Sequence, residues 1–494
     1  MCTSCGGSTT TIVAKDILPE AGSNSVDSAV QLIDIFRPHL SAGAQILFPF
    51  DKSWATELRQ RWTTWEHPSF TSAIKPATES DLVSIVKLCA QHQIPFLATG
   101  GGHGAGMGYG TIKNAMNIDL GNFSSVELNA EANEMTVGGA TLAAQVYEPL
   151  YAAGKEIPLG RSRCVGMVGL TLGGGIGSLQ GRHGLVMDSL LSVRMVTARG
   201  DIVTASRTEN ADLFWALRGA GTNFGIITQA TYRVYDAINN GQFINADFIY
   251  QAKSSRGLWD ILKWADEEMP PELSIAVASG YDHAEGQALL IACVEYYGPL
   301  EDAQKFLDPF RALDPIKTGI TSVPWPILSA TAQFGNEETA CKRSQFVNCY
   351  TVGLGQIHTD TLEKVFNMFI DFYRANPGYE GRFGYQKYCN KKVMAVPASE
   401  TVYPWRNIKT QVLLRNMQTD HSIDAEVDAL MRSMRSALAA TSGFDGLQTY
   451  MNYAHGDEDS EALYGPNLSR VMEVKRKWDP TNMFGRGRPI PISS

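Results

Sequence analysis

Thr99-Gly-Gly-Gly-His-Gly-Ala-Gly-Met-Gly-Tyr-Gly110 and Gly160-Arg-Ser-Arg-Cys-Val-Gly-Met-Val-Gly-Leu-Thr-Leu-Gly-Gly-Gly-Ile-Gly177 are the two stretches that decide the fold. Consecutive glycines let backbone N–H groups approach a ligand and point at an anion such as a pyrophosphate. Either run alone is equally compatible with a turn-rich loop. The first follows Ile94-Pro-Phe-Leu-Ala-Thr99, which reads as a short buried strand. A Rossmann nucleotide site would also set glycines after a strand, with an acid such as Asp119 about 20 residues on. That motif has to open a helix, however, and residues 104–114 are too glycine-rich to start one. A histidine inside the run has no role in it.

Working outward, Thr78 followed three residues later by Asp81 reads as a capping box. Leu82, Ile85, Val86 and Cys89 then fall on one helical face, which makes Cys89 a core residue. An earlier helix is expected from Val26 to Arg37. Val193–Ala198 and Ile202–Ala205 flank Arg199-Gly-Asp and predict a hairpin. Asn210–Gly219 reads as a short helix ending at glycine, and Ile226–Tyr235 as a β-branched strand. Beyond residue 236 strand candidates at 274–280, 288–297 and 411–414 alternate with amphipathic helices at 300–313, 359–375 and 423–440. The last fifty residues return to a compact, motif-like texture.

A chain of 494 residues exceeds one ordinary core, so several domains are expected. The boundaries read as an N-terminal extension and helix over 1–40, a cofactor domain over 41–236, a substrate domain over 237–444 and a completing segment over 445–494. A net charge of -9 speaks against nucleic acid as a partner, because phosphate binding needs a clustered positive field. No run reaches the roughly 18–20 apolar residues of a membrane span. The start, Met1-Cys-Thr-Ser-Cys, lacks the basic and apolar parts of a signal peptide, which predicts a cytoplasmic protein. The eight cysteines are scattered and read as mostly free thiols. Cys2 and Cys5 sit in a polar tail without a second ligand pair, and no histidines show metal-ligand spacing.

Gly101-Gly-His-Gly resembles the flavin-attachment loop of the vanillyl-alcohol-oxidase superfamily, in particular its berberine-bridge-enzyme branch. The resemblance continues through Pro76-Ala-Thr-Glu-Ser-Asp-Leu-Val, Ile118-Asp-Leu, Gly173-Gly-Gly-Ile-Gly, His183-Gly-Leu-Val-Met-Asp188, Asp212-Leu-Phe-Trp-Ala-Leu-Arg-Gly and Asn223-Phe-Gly-Ile-Ile. It resumes at Tyr450-Met-Asn-Tyr453, Tyr464-Gly, Arg470 and Lys475-Arg-Lys-Trp-Asp-Pro-Thr-Asn-Met-Phe484. The middle of the chain matches chiefly at Thr401-Val-Tyr-Pro-Trp-Arg406.

The resemblance implies an α+β fold: a two-part FAD-binding domain of the vanillyl-alcohol-oxidase type, with an inserted α+β substrate domain whose sheet covers the flavin. It implies FAD bound covalently through His103. The expected cofactor cradle is Thr99, Gly100, Gly101, Gly102, Gly104, Ser162, Gly166, Gly169, Gly173, Gly174, Gly177, Gly225, Ile227, Asn452 and Tyr453.

Many members of the branch attach the flavin a second time through a cysteine. Counting back from the triple glycine puts Ser162 at that position, so no cysteinyl link is expected and Cys164 reads as an ordinary packed or loop thiol. In the same register Val165 falls where oxygen access is gated, and Ile176 replaces a tyrosine common in plant members. Tyr450 is the expected base, with Lys409 supplying a positive charge and Gln411 a polar partner on the same strand face. Tyr453 and His455 come next, although His183 and His455 read first as local hydrogen-bonding residues and Trp215 and Phe224 as core. The implied activity is oxidation of a small organic substrate, a secondary-metabolite alcohol or amine, with O2 reduced to H2O2. A carbohydrate oxidase, and a non-redox cyclase or binding protein on the same scaffold, are the alternatives.

Overall fold

The computed structural model describes residues 23–335, 340–417 and 419–492. The proposed N-terminal tail and its Cys2–Cys5 pair lie outside them. The first helix runs Ser23–Phe36. Thr78 caps the helix Glu79–His92 as expected: its hydroxyl accepts the Asp81 amide at 3.1 Å, and the Asp81 carboxylate accepts the Thr78 amide at 2.9 Å. Leu82, Ile85, Val86 and Cys89 are buried from this helix against a four-stranded sheet. That sheet contains β1 (Gln45–Leu47), β2 (Phe70–Lys75), β3 (Phe96–Thr99) and β4 (Ala115–Asp119) in the order β1-β2-β4-β3. Because β3 ends at Thr99, the first glycine run starts at a strand's carboxyl end.

The chain then lays down β5 (Val126–Asn129), β6 (Glu134–Gly138), β7 (Lys155–Glu156), β8 (Leu190–Thr197), β9 (Ile202–Ser206), β10 (Gly225–Arg233) and β11 (Tyr235–Asp236). Five of these form an antiparallel sheet of order β5-β6-β10-β8-β9, while β7 pairs with β11. The expected hairpin is β8–β9, turned at Gly200 with φ +72°.

A seven-stranded antiparallel sheet follows. Its strands are β12 (Gln242–Gln251), β13 (Leu273–Asp282), β14 (Gln287–Tyr296), β15 (Lys317–Pro324), β16 (Asn348–Leu354), β17 (Arg382–Tyr388) and β18 (Thr410–Asn416), ordered β15-β12-β14-β13-β17-β18-β16. Strand alternation splits its two faces. Ile275, Val277, Phe383, Tyr385, Val412 and Leu414 join one core with the helices Ser255–Glu268, Leu300–Arg311, Thr359–Ala375 and Asp424–Ala439. The other face turns toward the first two sheets. The sequence pattern anticipated β13, β14 and β18. It did not anticipate β12, β15, β16, β17 or the helix Ser255–Glu268.

The C-terminal segment packs back onto the N-terminal half. Met451, Tyr464, Val471, Val474 and Ile490 share a core with β6, β8 and β10, and Phe484 packs with Phe96. Lys475 and Asp479 form a fully buried ion pair at 2.7 Å. The ammonium also donates to the Asn223 carbonyl at 2.7 Å, and the carboxylate accepts the amides of Met483 and Phe484 at 2.8 Å each. The two stretches around Asn223 and Lys475 thus satisfy each other's buried polar groups. Trp215 and Phe224 are core residues, as the sequence suggested. Among the described residues no helix is long and apolar enough to cross a membrane.

Candidate active site

A cavity of about 490 Å³ lies between the glycine runs and the seven-stranded sheet. Thr99, Gly100, Gly101, Gly102, His103 and Gly104 line it from the first run, and Ser162, Val165, Gly166, Gly169 and Gly173 from the second. Gly225, Ile227, Asn452 and Tyr453 also reach its wall. The two runs touch: a Cβ on Gly101 would lie 2.4 Å from the Gly166 nitrogen, and one on Gly100 2.9 Å from the Gly139 carbonyl. Only bare backbone fits there, which suits a cradle of N–H groups for a diphosphate. Phe96, Phe484 and Arg486 also line the cavity.

Gly174 and Gly177 stand behind this wall. Gly174, at φ +123°, packs on the Tyr450 ring, and a Cβ on Gly177 would strike the Leu159 carbonyl. Their expected place in the cradle is therefore corrected to turn formation and close packing behind it.

The His103 ring stacks on Trp62 with centroids 4.3 Å apart and planes 17° from parallel. Burial pushes its pKa down to about 3, assisted by the positive charges of Arg343, Arg415 and Arg61. The imidazole is neutral near pH 7, with a lone pair free for bonding.

Cys164 is a correction. It forms a disulfide with Cys341, 177 residues away, with Cα atoms 5.7 Å apart. Its sulfur lies 3.8 Å from His103 Nε2. No local pattern announces a partner so distant in sequence. Cys89, Cys293, Cys349 and Cys389 are free and buried.

The expected base assembly is also rearranged. The Tyr450 side chain is fully buried beside Ile176, Leu185, Met187 and Tyr403, off the cavity wall. Its hydroxyl oxygen accepts the amides of Gly175 at 3.0 Å and Ile176 at 3.2 Å, and Asn452 Nδ2 at 2.8 Å. Burial raises its pKa despite these donors, and the charge that acts on it is Arg488. Lys409 is half-buried just before β18, and its charge acts on Lys387 instead. Gln411 is buried against Tyr403. Tyr450 therefore braces the triple-glycine turn, because its hydroxyl is already engaged by the turn's own amides.

Tyr453, unlike Tyr450, lines the cavity, as do Tyr109, Tyr385 and Tyr388. The Tyr453 hydroxyl donates to Gln386 Oε1 at 3.0 Å, and burial raises its pKa. Gln386 lies on β17, a strand the sequence pattern missed. His183 and His455 are held locally: His183 Nε2 meets Glu156 at 2.7 Å, and His455 Nδ1 meets the Cys349 carbonyl at 2.9 Å. Among the described residues no cluster of His, Cys, Asp and Glu could hold a metal.

Comparison with known proteins agrees with this geometry. The family described as FAD binding domain matches residues 71–206, and the one described as berberine and berberine like matches 449–491. The FAD-linked oxidoreductase azaL of Aspergillus niger is 44% identical over 466 residues, covering 93% of this chain and 99% of that protein. This chain belongs to the berberine-bridge-enzyme-like FAD-linked oxidoreductases. Its fold is the two-part FAD-binding type with an inserted α+β domain. BBE-like 1 of Physcomitrella patens superimposes with a TM-score of 0.81 at 22% identity, covering 94% of this chain and 99% of that one. Glucooligosaccharide oxidase of Acremonium strictum does so at 0.79 and 21%, covering 96% and 100%. The flavin of that oxidase is described as 6-S-cysteinyl, 8α-N1-histidyl FAD. As a member of this family the chain is an FAD-dependent oxidoreductase, and the glycine junction and neutral His103 are the parts of it that fit the cofactor.

Proposed function

We propose that this protein is an oxidase holding FAD by a single covalent bond from His103, and that it oxidises a small organic alcohol or amine of secondary metabolism. The carrying observation is His103 itself, a neutral imidazole fixed on Trp62 at the cavity wall, with the neighbouring Cys164 consumed in a disulfide. Oxidation of an alcohol then reads R2CHOH + O2 → R2C=O + H2O2. Bound FAD supplies the acceptor for the hydride. The chain's own groups bind and orient: the glycine runs hold the cofactor, the seven-stranded sheet closes the cavity against water, and the Tyr453 hydroxyl, fixed by Gln386, orients the substrate's reacting O–H or N–H. Burial keeps Tyr453 a neutral phenol at rest. Val165 stands at the cavity wall next to Gly166, where it would control the approach of O2.

Two measurements test this reading. Acid-precipitated protein should stay yellow, with the flavin recovered on a peptide containing His103 and none on one containing Cys164. Screening candidate alcohols and amines under anaerobic conditions should find compounds that bleach the flavin. Conversion of a compound without bleaching would mean a non-redox cyclase instead.

A further inference from the structure

Strands β17 and β18 pair so that Arg382 stands directly opposite Arg415. Both are half-buried, and both line the cavity on the sheet face that also presents Gln386. Among the described residues neither makes a hydrogen bond or an ion pair. Residues opposite one another on one face of an antiparallel pair bring their Cβ atoms to about 4.5–5.5 Å, and like charges there are destabilising. The protein satisfies other buried or half-buried arginines internally: Arg161 meets Glu295 at 2.6 Å, Arg406 meets Asp188 at 2.8 Å, and Arg61 and Arg218 donate to the carbonyls of Gly104 and Glu400 at 2.6 and 2.7 Å. Among the described residues Arg382 and Arg415 have neither an acid nor a carbonyl acceptor, and no Asp, Glu or Lys lines the cavity.

The cofactor's own phosphates do not explain the pair. The cradle fitted to a diphosphate is the Gly101–Gly166 junction of the glycine runs, whereas the pair stands on β17 and β18. The charge of Arg415 acts on His103, Cys349 and Tyr453. The pair thus belongs to the sheet that covers the cavity, beside the tyrosine assigned to substrate.

We propose that Arg382 and Arg415 clamp an anionic group of the substrate, and that the substrate is an organic acid bound by its carboxylate. This rests on the oxidase reading above and adds the substrate's class to it. A guanidinium is planar, stays charged near neutral pH and can meet a carboxylate through two parallel N–H donors. Two of them facing one cavity, with no internal acid, form a binding site for a charge that arrives from outside. The anchored carboxylate would hold the molecule while Tyr453 and Gln386 orient the bond to be oxidised.

Benzoate and its uncharged counterpart benzamide test the clamp on the purified holoprotein, with the flavin absorption spectrum as the readout. Benzoate should perturb the spectrum saturably and bind at least tenfold more tightly than benzamide. Arg382→Gln and Arg415→Gln should each weaken benzoate at least tenfold and leave benzamide and flavin content unchanged. Arg415→Lys should recover part of the loss. Equal binding of the two probes, no saturable effect of benzoate, or variants that bind it like the wild type would overturn the proposal. The first two outcomes need no variant to fold. A purified protein without flavin would instead defeat the oxidase reading, which keeps the two failures distinct.

Discussion

A Cβ placed on Gly101 would lie 2.4 Å from the Gly166 nitrogen and 2.6 Å from its Cα, so the two glycine runs meet backbone to backbone. Gly101→Ala must push the runs apart. Overpacking of this kind costs about 1–3 kcal/mol, and here it would also displace the N–H groups that would hold a diphosphate. The variant should purify with most of its flavin lost. Gly280→Ala, where nothing lies within 4 Å of the new methyl, should keep a full complement. Equal flavin absorbance in both would remove the junction from the cradle.

His103 makes a pH-dependent contribution to the flavin-free protein. Its folded pKa is about 3, against about 6.5 for a free imidazole. Below pH 6.5 the unfolded state therefore binds the extra proton. Stability present above that pH is lost as pH falls toward 3, by at most about 1.4 kcal/mol per unit. Denaturant titrations of flavin-free wild type and His103→Gln at pH 7 and pH 5 isolate this term. The variant should lose less stability between the two. An identical loss would mean an ordinary imidazole.

Asp188 and Arg406 join two sequence motifs 218 residues apart, through bonds of 2.8 and 3.0 Å between side chains only 7% and 3% exposed. Removing one partner of a buried pair typically costs about 3–5 kcal/mol, because the other charge stays behind. Asp188→Asn and Arg406→Met should each unfold at markedly lower denaturant. The double variant should be less destabilised than their sum. Strict additivity would show that the two side chains do not act as a unit.

What the sequence made legible was local. The Thr78–Asp81 box needs three residues of separation, the β8–β9 hairpin needs a turn, and the glycine runs carry their own conformational signature. The pairing of Cys164 with Cys341 and that of Arg382 with Arg415 are set by tertiary folding. The base assignment failed for a related reason. Strand β18 begins at Thr410 and so leaves Lys409 outside it, and where the Tyr450 ring sits depends on Gly174, Gly175 and Ile176, nearly 280 residues earlier. Strand β17 was missed because Arg382-Phe-Gly-Tyr-Gln-Lys-Tyr388 buries Lys387 against Asp266 and exposes polar residues to the cavity, which blurs apolar alternation.

Val165 gives a kinetic prediction with two separable halves. It lines the cavity beside Gly166, and its carbonyl is tied to the Ala143 amide at 2.9 Å, which fixes the backbone. Val165→Leu adds bulk at that wall without disturbing the bond. Stopped-flow reoxidation of the reduced protein by O2 should slow by tenfold or more, while anaerobic reduction by substrate stays within about twofold, since one added methylene is worth only about 0.8 kcal/mol of apolar contact. Unchanged reoxidation would place the path of O2 elsewhere.

Tyr453 and Tyr450 are three residues apart and predict opposite outcomes. The Tyr453 hydroxyl lies at the cavity wall against Gln386, while the Tyr450 hydroxyl accepts three N–H groups within the protein. Tyr453→Phe removes a polar group that can meet the substrate. It should lower the rate of flavin reduction by about 10²-fold, in the range that one positioned proton-handling group supplies, with flavin content unchanged. Tyr450→Phe removes the acceptor of three buried donors, a cost of about 1–3 kcal/mol for each group left unsatisfied. Its first effect should be lower stability and incomplete flavin loading. Molecules that do load should reduce their flavin near the wild-type rate. Lys409→Met should change neither quantity, because the charge that acts on Tyr450 is that of Arg488 and the charge of Lys409 acts on Lys387. Rapid reduction in Tyr453→Phe combined with slow reduction in fully loaded Tyr450→Phe would restore Tyr450 as the residue that handles the substrate's proton.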